Sequence, residues 1–489
     1  MLPLITIMLF LPAAGGLLSY LAGMAKKQYA KYVALAFSVV EVILSLWSYY
    51  LVFITPSYQF ILQETYTWIP GLINYHVGLD GLGAPLVLIA SSLTTLAIFG
   101  SFREITEKES SYYALILLFL SATVGVFVSL NLILFYFFWD ASLLPMFFFI
   151  GIWGGPRRKY AATKFLLFTY GGSVSMLLGF LLLYFLGGST TFDFVYLLNH
   201  PPPYWLQLIV SALTFVGFGV KLPIFPLHTW LPDAHVEAPT PISVLLAGLL
   251  LKLGGFGFLR FNLQLFYQVA IHYAWVYIAF GLVTMFYGAI VALRQVDMKR
   301  MVALTSINHM GFVIFGAFAG IAVTGSVFFG VEGAVFQMFN HAFAIGLMFT
   351  LTGIVKHTFD TRDMTVVKGM RYGMPLASAA VGLGALAAMG APVFSSFLSE
   401  FMVIYSGILY SPWLWFAVLA PGITAAYMLW MLKRMVLSQK AEGLSYHDID
   451  RKFFVYLIAY LVPLVLLLIF PSLILSPVAT FAQSLLGGP

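Results

Sequence analysis

The chain has 489 residues, 61% of them hydrophobic and only 9% charged, with 24 Lys and Arg against 18 Asp and Glu and no cysteine. A water-facing domain carries about a quarter of its residues as Asp, Glu, Lys and Arg, so this composition excludes a soluble enzyme and sets most of the chain against lipid. Lack of cysteine excludes a disulfide and a thiolate-bound zinc or iron–sulfur cluster, and the +6 balance points to basic loops on the negative side of a membrane rather than to nucleic acid.

A crossing helix needs about 20 mostly apolar residues, and about fourteen such stretches follow one another: 2–22, 32–53, 79–102, 113–130, 131–151, 161–187, 205–235, 240–260, 272–293, 301–320, 326–352, 374–408, 413–434 and 453–475. The expected fold class is all-α, a polytopic membrane protein in one membrane domain. Span one starts at Leu2 with no basic segment or cleavage site before Lys26, so it reads as a retained helix whose amino terminus lies outside. Alternate loops then face the cytoplasm, and every one of the 24 Lys and Arg except Lys221, Lys252 and Arg260 falls in them or at their helix ends. One helix too many or too few would scatter the later positives, so this bias supports the count, the orientation and a carboxyl terminus that is also outside. Arg260 ends span eight on the outer side, where its long stem is expected to snorkel to water.

Spans seven and twelve are too long for one crossing. At about 1.5 Å per residue they run roughly 46 and 52 Å against a hydrocarbon core of about 30 Å. Pro223, Pro226 and Pro232 interrupt the first, and Gly390 with Pro392 the second, so both are expected to be discontinuous helices. Each is fourth in a block of five, which divides the chain into spans one to three (1–112), a first repeat of spans four to eight (113–262), a second repeat of spans nine to thirteen (263–437) and a last span with the C-terminus (438–489). Broken helices at matching places in two repeats point to an ion site.

Charged groups at mid-bilayer cost about 2.5 to 3.5 kcal/mol each on insertion scales. Asp140 lies at half depth in span five, Lys221 just before the break in span seven, Lys252 past the middle of span eight, and Glu400 after the break in span twelve. His309 and His341 lie in spans ten and eleven, and His228 near the break of span seven. A carboxylate beside a buried lysine steadies its proton, and withdrawing that carboxylate releases it. Lysine, histidine and carboxylate strung along the membrane plane read as a proton path that runs from Asp140 and Lys221 to Glu400, near an outer exit. Glu41 and Glu332 are also within spans, the first outside the repeats and the second near enough to a span end to reach the headgroups. Asp233-Ala234-His235-Val236-Glu237 offers metal-ligand types but at a strand-like spacing on a helix end, and reads as a polar turn. Gly154-Gly155-Pro156-Arg157-Arg158 lacks the strand and helix context of a phosphate loop and reads as a tight cytoplasmic turn.

Three segments carry a family resemblance: Trp139-Asp140-Ala141-Ser142-Leu143-Leu144-Pro145-Met146, Gly151-Ile152-Trp153-Gly154-Gly155-Pro156, and Lys221-Leu222-Pro223 through His228-Thr229-Trp230-Leu231-Pro232-Asp233-Ala234-His235-Val236-Glu237. The chain resembles the antiporter-like subunits of respiratory complex I, the M-type above all. That resemblance implies fourteen helices with inverted five-helix repeats, proton translocation through Asp140, Lys221, Lys252 and Glu400 with His309 and His341 as relays, and His228 as a further relay near the break. Asp140 stands where the family usually has glutamate, which implies a longer or water-bridged approach to Lys221. Glu400 in place of lysine, and a C-terminus about fourteen residues beyond Leu475 with no room for a long lateral helix, favour the M-type over its sisters. The implied partners are paralogous membrane-arm subunits and a redox module carrying iron–sulfur clusters, in a prokaryotic cytoplasmic membrane. No cofactor is expected in this chain itself. The same fold serves multisubunit sodium/proton antiporters and membrane-bound hydrogenases, so Na⁺ in place of H⁺ is the alternative.

Overall fold

The computed structural model describes residues 3–70, 73–189, 191–323 and 326–486. Among them thirteen helices are long and apolar enough to cross a membrane, from Leu4–Ala25 to Arg451–Ile469. One further crossing is split into Pro375–Ala388 and Ser395–Tyr410, each too short alone. With that broken pair the count agrees with the sequence, and the chain is an integral, multi-pass membrane protein. Span seven is helical over Tyr204–Lys221, breaks through a turn holding Pro223 and Pro226, and resumes as Trp230–Glu237. Proline offers no amide to a helix interior and collides with the preceding turn, so the break falls where the prolines stand.

Burial sorts the helices into an inner and an outer set. The apolar windows of Thr240–Leu265 (span eight) and Met298–Ile321 (span ten) are 100% buried inside the protein and that of Phe328–Phe359 (span eleven) 89%, whereas Lys27–Ile54 and Arg451–Ile469 are 33% buried and cover the lipid-facing rim. The innermost helices are therefore the ones that carry Lys252, His309 and His341. Span eight is also irregular, with π-helical turns over Leu246–Leu250 and Phe258–Leu265; such widened turns turn carbonyls away from the regular ladder and recur at functional sites.

Two features at one end of the bundle depart from the expected elements. Residues between spans two and three form an antiparallel hairpin, β1 (Ile61–Ile69) and β2 (Ile73–Leu79); its run of Thr, Tyr and Trp suits a strand. Beyond Arg451–Ile469 a short apolar helix, Ser472–Leu486, continues the chain. Asp80 closes the hairpin and caps span three, its Oδ1 accepting the amides of Leu82 (3.2 Å) and Gly83 (2.9 Å), so the helix starts at Gly83 rather than at 79.

Arg260 is the clear correction. It does not reach water: it is 3% exposed, forks onto the two carboxylate oxygens of Asp80 at 2.7 and 2.8 Å, and donates to Gln264 at 2.8 Å. The chain folds back over it, so a partner 180 residues away replaces solvent. Glu332, expected near the headgroups, is likewise buried.

Glu64 ties the hairpin to span one. Its carboxylate accepts the amides of Ile5 (2.7 Å) and Thr6 (3.1 Å) as well as the Thr6 hydroxyl, and so serves the orphan donors at a helix N-terminus from a distant strand. Replacing it removes a cap of about 1 to 2 kcal/mol. Glu64→Ala is expected to speed amide exchange at Ile5 and Thr6 roughly tenfold or more while the amides of span ten keep wild-type protection; unchanged exchange at Ile5 and Thr6 would refute the cap.

Candidate functional site: a buried row of titratable side chains

The site begins at a disturbance in span five. Pro145 cannot return a hydrogen bond to the carbonyl of Ala141, and the helix is interrupted at Ser142 between Leu132–Ala141 and Leu143–Trp153. Lys221, at the end of the first half of span seven, enters that interruption. Its Nζ donates to the Trp139 carbonyl at 3.1 Å and to Ser142 Oγ at 2.9 Å, and lies 3.8 Å from the centre of the Trp139 ring. Lys221 is 1% exposed, so these contacts and the indole face take the place of its water. Asp140 turns the other way and accepts from Ser173 Oγ on span six. No Nζ to carboxylate approach of 4.0 Å or less joins Lys221 to Asp140, so the two are not an ion pair.

Span eight crosses the break of span seven at a glycine. A Cβ on Gly254 would overlap the amide nitrogen of Leu222, so a bare backbone lets span eight pack closely on the turn that follows Lys221, while Lys252, two residues before it, points to the other side of the helix, toward span eleven. Lys252 is 1% exposed and donates to the Ala247 carbonyl at 2.7 Å, on the π turn, and to His341 Nδ1 at 2.5 Å. With Nδ1 accepting, the ring proton of neutral His341 resides on Nε2. The His309 ring is next, its centroid 5.4 Å from that of His341, and its Nε2 stands 3.7 Å from Glu400 Oε1. Four groups from spans eight, eleven, ten and twelve are thus aligned: Lys252, His341, His309, Glu400.

Side chains between them hold the row in place. Asn340 donates to the Ser395 carbonyl and to Ser399 Oγ, both at 3.0 Å, and accepts from Ser395 Oγ at 2.6 Å, which pins span eleven to the second half of span twelve. Ser399 in turn donates to Gln337 at 2.5 Å. The break in span twelve turns at Gly390 with φ +69°, a left-handed conformation that L side chains resist. A Cβ at that position would overlap the Glu400 carboxylate, so the same glycine bends the chain and makes room for the acid. Both nitrogens of His309 and Nε2 of His341 have no protein hydrogen-bond partner, which marks the stretch between the rings as polar and buried at once.

Of the remaining sequence candidates, His228 lies apart from this row as an aromatic packing residue, its ring against Tyr287 (centroids 4.6 Å) and Phe225 (5.7 Å). Glu41 is fully buried on span two with neither oxygen bonded. The polar turn after span seven is dispersed rather than convergent: Asp233 accepts from Lys164 at 2.7 Å, and Glu237 accepts the amides of Gly155 and Arg157, each at 2.9 Å. Those amides were the candidates for a phosphate loop. His235 is the residue that the sequence concealed. It is fully buried, stacked on Phe349 at 4.5 Å with both nitrogens unpaired. Lys299, 3% exposed, donates to the nearby Ala238 carbonyl at 2.5 Å. The place of His235 among the polar residues of the short helix Trp230–Glu237, after the break, gave no signal of that burial.

Residues 129–426 match the family described as NADH:quinone oxidoreductase/Mrp antiporter, TM. The chain is 37% identical to the NADH-quinone oxidoreductase subunit M of Rickettsia conorii, over 99% of each. Among solved structures it is similar to a chain of respiratory complex I from Thermus thermophilus, with a TM-score of 0.87 at 26% identity, covering 98% of this chain and 99% of that one. It shares its fold with a chain of the Mrp complex from Dietzia sp., with a TM-score of 0.85 at 23% identity, covering 98% of this chain and 52% of the other.

The double role of Gly390 gives a direct test. Gly390→Ala adds about 1 to 2 kcal/mol of backbone strain and displaces the carboxylate it supports. A structure of the variant is expected to show Glu400 moved beyond 3.7 Å from His309 with the Asn340–Ser395 bonds intact; an unmoved Glu400 would show that the glycine does not set its position.

Proposed function

This chain belongs to the NADH:quinone oxidoreductase/Mrp antiporter family of membrane subunits, and from that membership we propose that it is a proton-translocating membrane-arm subunit of a complex-I-type oxidoreductase. The observation that carries the reading is the buried row Lys252, His341, His309 and Glu400, with separations of 2.5 Å, 5.4 Å between ring centroids, and 3.7 Å. A selectivity filter for a metal cation would present converging carbonyls or a carboxylate ring; a lysine and two imidazoles present donors and acceptors suited to a proton.

In this mechanism Asp140 governs Lys221 by its distance. When the carboxylate swings from Ser173 toward Lys221 the ammonium is held; when it swings away, the proton moves on across the Gly254 crossing to Lys252. Lys252 passes it to His341 Nδ1, and loss of the Nε2 proton toward His309 completes an imidazole hop. Water between the unpaired ring nitrogens bridges the wider gap, and Glu400 is the terminal acceptor. His235 and Lys299 lie on the side that carries the basic loops and supply a feed into Lys252 from there. That side is the cytoplasmic one, with both termini outside, and the two halves of the path belong to inverted repeats over 113–262 and 263–437.

The energy comes from partners. Redox-module subunits holding iron–sulfur clusters drive the charge shifts through neighbouring antiporter-like subunits, and this chain binds no redox group. The near full-length identity to a subunit M favours this over an Mrp-type sodium/proton antiporter, to which the likeness is one of fold.

Lys221→Ala is expected to lower the protons pumped per electron pair while the complex still assembles, and Asp140→Asn to do the same. Asp140→Glu is expected to be tolerated, since the charge is kept. A wild-type ratio in an assembled Lys221→Ala complex refutes the assignment, and transport that requires Na⁺ in reconstituted vesicles favours the antiporter reading.

A further inference from the structure

Past Lys252 the same span carries a second buried cation, and its surroundings are of a different kind. Arg260 lies eight residues on, about 12 Å along the helix axis, toward the hairpin end of the molecule. The rings of Phe60 (4.9 Å), Phe256 (5.1 Å), Phe481 (5.5 Å) and Phe194 (5.7 Å) surround its guanidinium. Asp80 takes both of its forked bonds. Between them the two oxygens of Asp80 accept two contacts from Arg260 and two backbone amides, from Leu82 and Gly83. Immediately outside is an open cleft of about 780 Å³ whose polar lining includes Gln59, Gln63 and Gln264, with Phe60 and Gln264 shared between the cleft and the Arg260 contacts.

A lysine, histidine or free carboxyl here would continue the row from Lys252 into that cleft. Arginine does not. Its guanidinium is not deprotonated in proteins, so it hands nothing on. Oδ1 of Asp80 is held by two amides fixed at the start of span three as well as by Arg260, and Oδ2 by Arg260. On the Lys252 side, Phe256 packs against Phe127 (5.3 Å) and Phe135 (6.4 Å), which leaves an apolar block between the two cations. Stability is a poor reason for such a pair, because buried ion pairs commonly stabilise no better than apolar side chains of the same volume. A fixed positive charge behind a dry constriction is instead a known way to exclude protons from a pore.

We infer that the Arg260–Asp80 pair is a proton seal: it closes the hairpin end of span eight to the Lys252 site, so that a proton reaching Lys252 can leave only sideways through His341. This rests on the relay proposed above, and turns a branched set of buried groups into a single line. Arg260 is a positioning residue in that scheme, since it touches no transported proton.

The test measures passive leak in the assembled complex, reconstituted in sealed vesicles, with no electron donor present. Under an imposed potassium-diffusion potential, internal pH is followed with a fluorescent dye. Arg260→Lys retains a cation for Asp80 but offers a proton that can leave, and is expected to leak at least twofold faster than wild type. The Arg260→Gln, Asp80→Asn double variant is expected to leak at least fivefold faster. Adding Lys252→Ala to Arg260→Lys is expected to return the leak to the wild-type level. Tight vesicles from assembled Arg260→Lys overturn the seal, as does a leak that persists without Lys252. Because no donor is present, these outcomes are separate from the pumping ratio of Lys221→Ala, so a failure of the seal is distinguishable from a failure of the relay.

Discussion

Lipid does not solvate charge, and most of this architecture follows from that. Lys221, Lys252, Arg260 and Glu400 are each nearly inaccessible, so each charge-bearing group must find its solvation within the protein. Lys221 finds it in a carbonyl, a hydroxyl and an indole face; Lys252 in a carbonyl and an imidazole; Arg260 in a carboxylate and four rings. Such groups need a face turned away from lipid, and spans eight and ten provide it over their whole apolar windows. The rim of less buried helices exists to isolate them.

Helix irregularity is the second device. A regular helix uses every interior carbonyl in its own ladder, and a buried ammonium then has no acceptor. Here Lys221 is served at the interruption beside Ser142, and Lys252 by Ala247 within a π turn. The break of span twelve does the same for the acid, with Gly390 giving both the bend and the space beside Glu400. Pro145, Pro223, Pro392 and Gly390 are thus part of the site, although none of them titrates.

The two buried cations of span eight show how environment decides role. Lys252 faces an imidazole whose other nitrogen is open, a partner able to accept and pass on. Arg260 faces a carboxylate one oxygen of which is already held by two fixed amides, and aromatic rings on its other sides. In the proposed scheme one arrangement conducts and the other closes, two turns apart on one helix.

What the sequence determined by itself was whatever depends on local composition. Long apolar runs count the crossings, and a charge within an apolar run stands out, which made Asp140, Lys221, Lys252 and Glu400 visible. Proline and glycine in over-long runs located both breaks. Contacts across hundreds of residues were decided only by tertiary packing: Arg260 sits at a span end in sequence, yet Asp80 and Phe481 enclose it from 180 and 221 residues away. The hairpin went unseen because its first strand is largely exposed and its second buries Ile73, Val77 and Leu79 only against distant parts of the chain. His235 was hidden among polar neighbours, and Lys221 turned from Asp140 to Trp139 and Ser142, because side-chain direction is set by which helices meet and not by the order of residues along the chain.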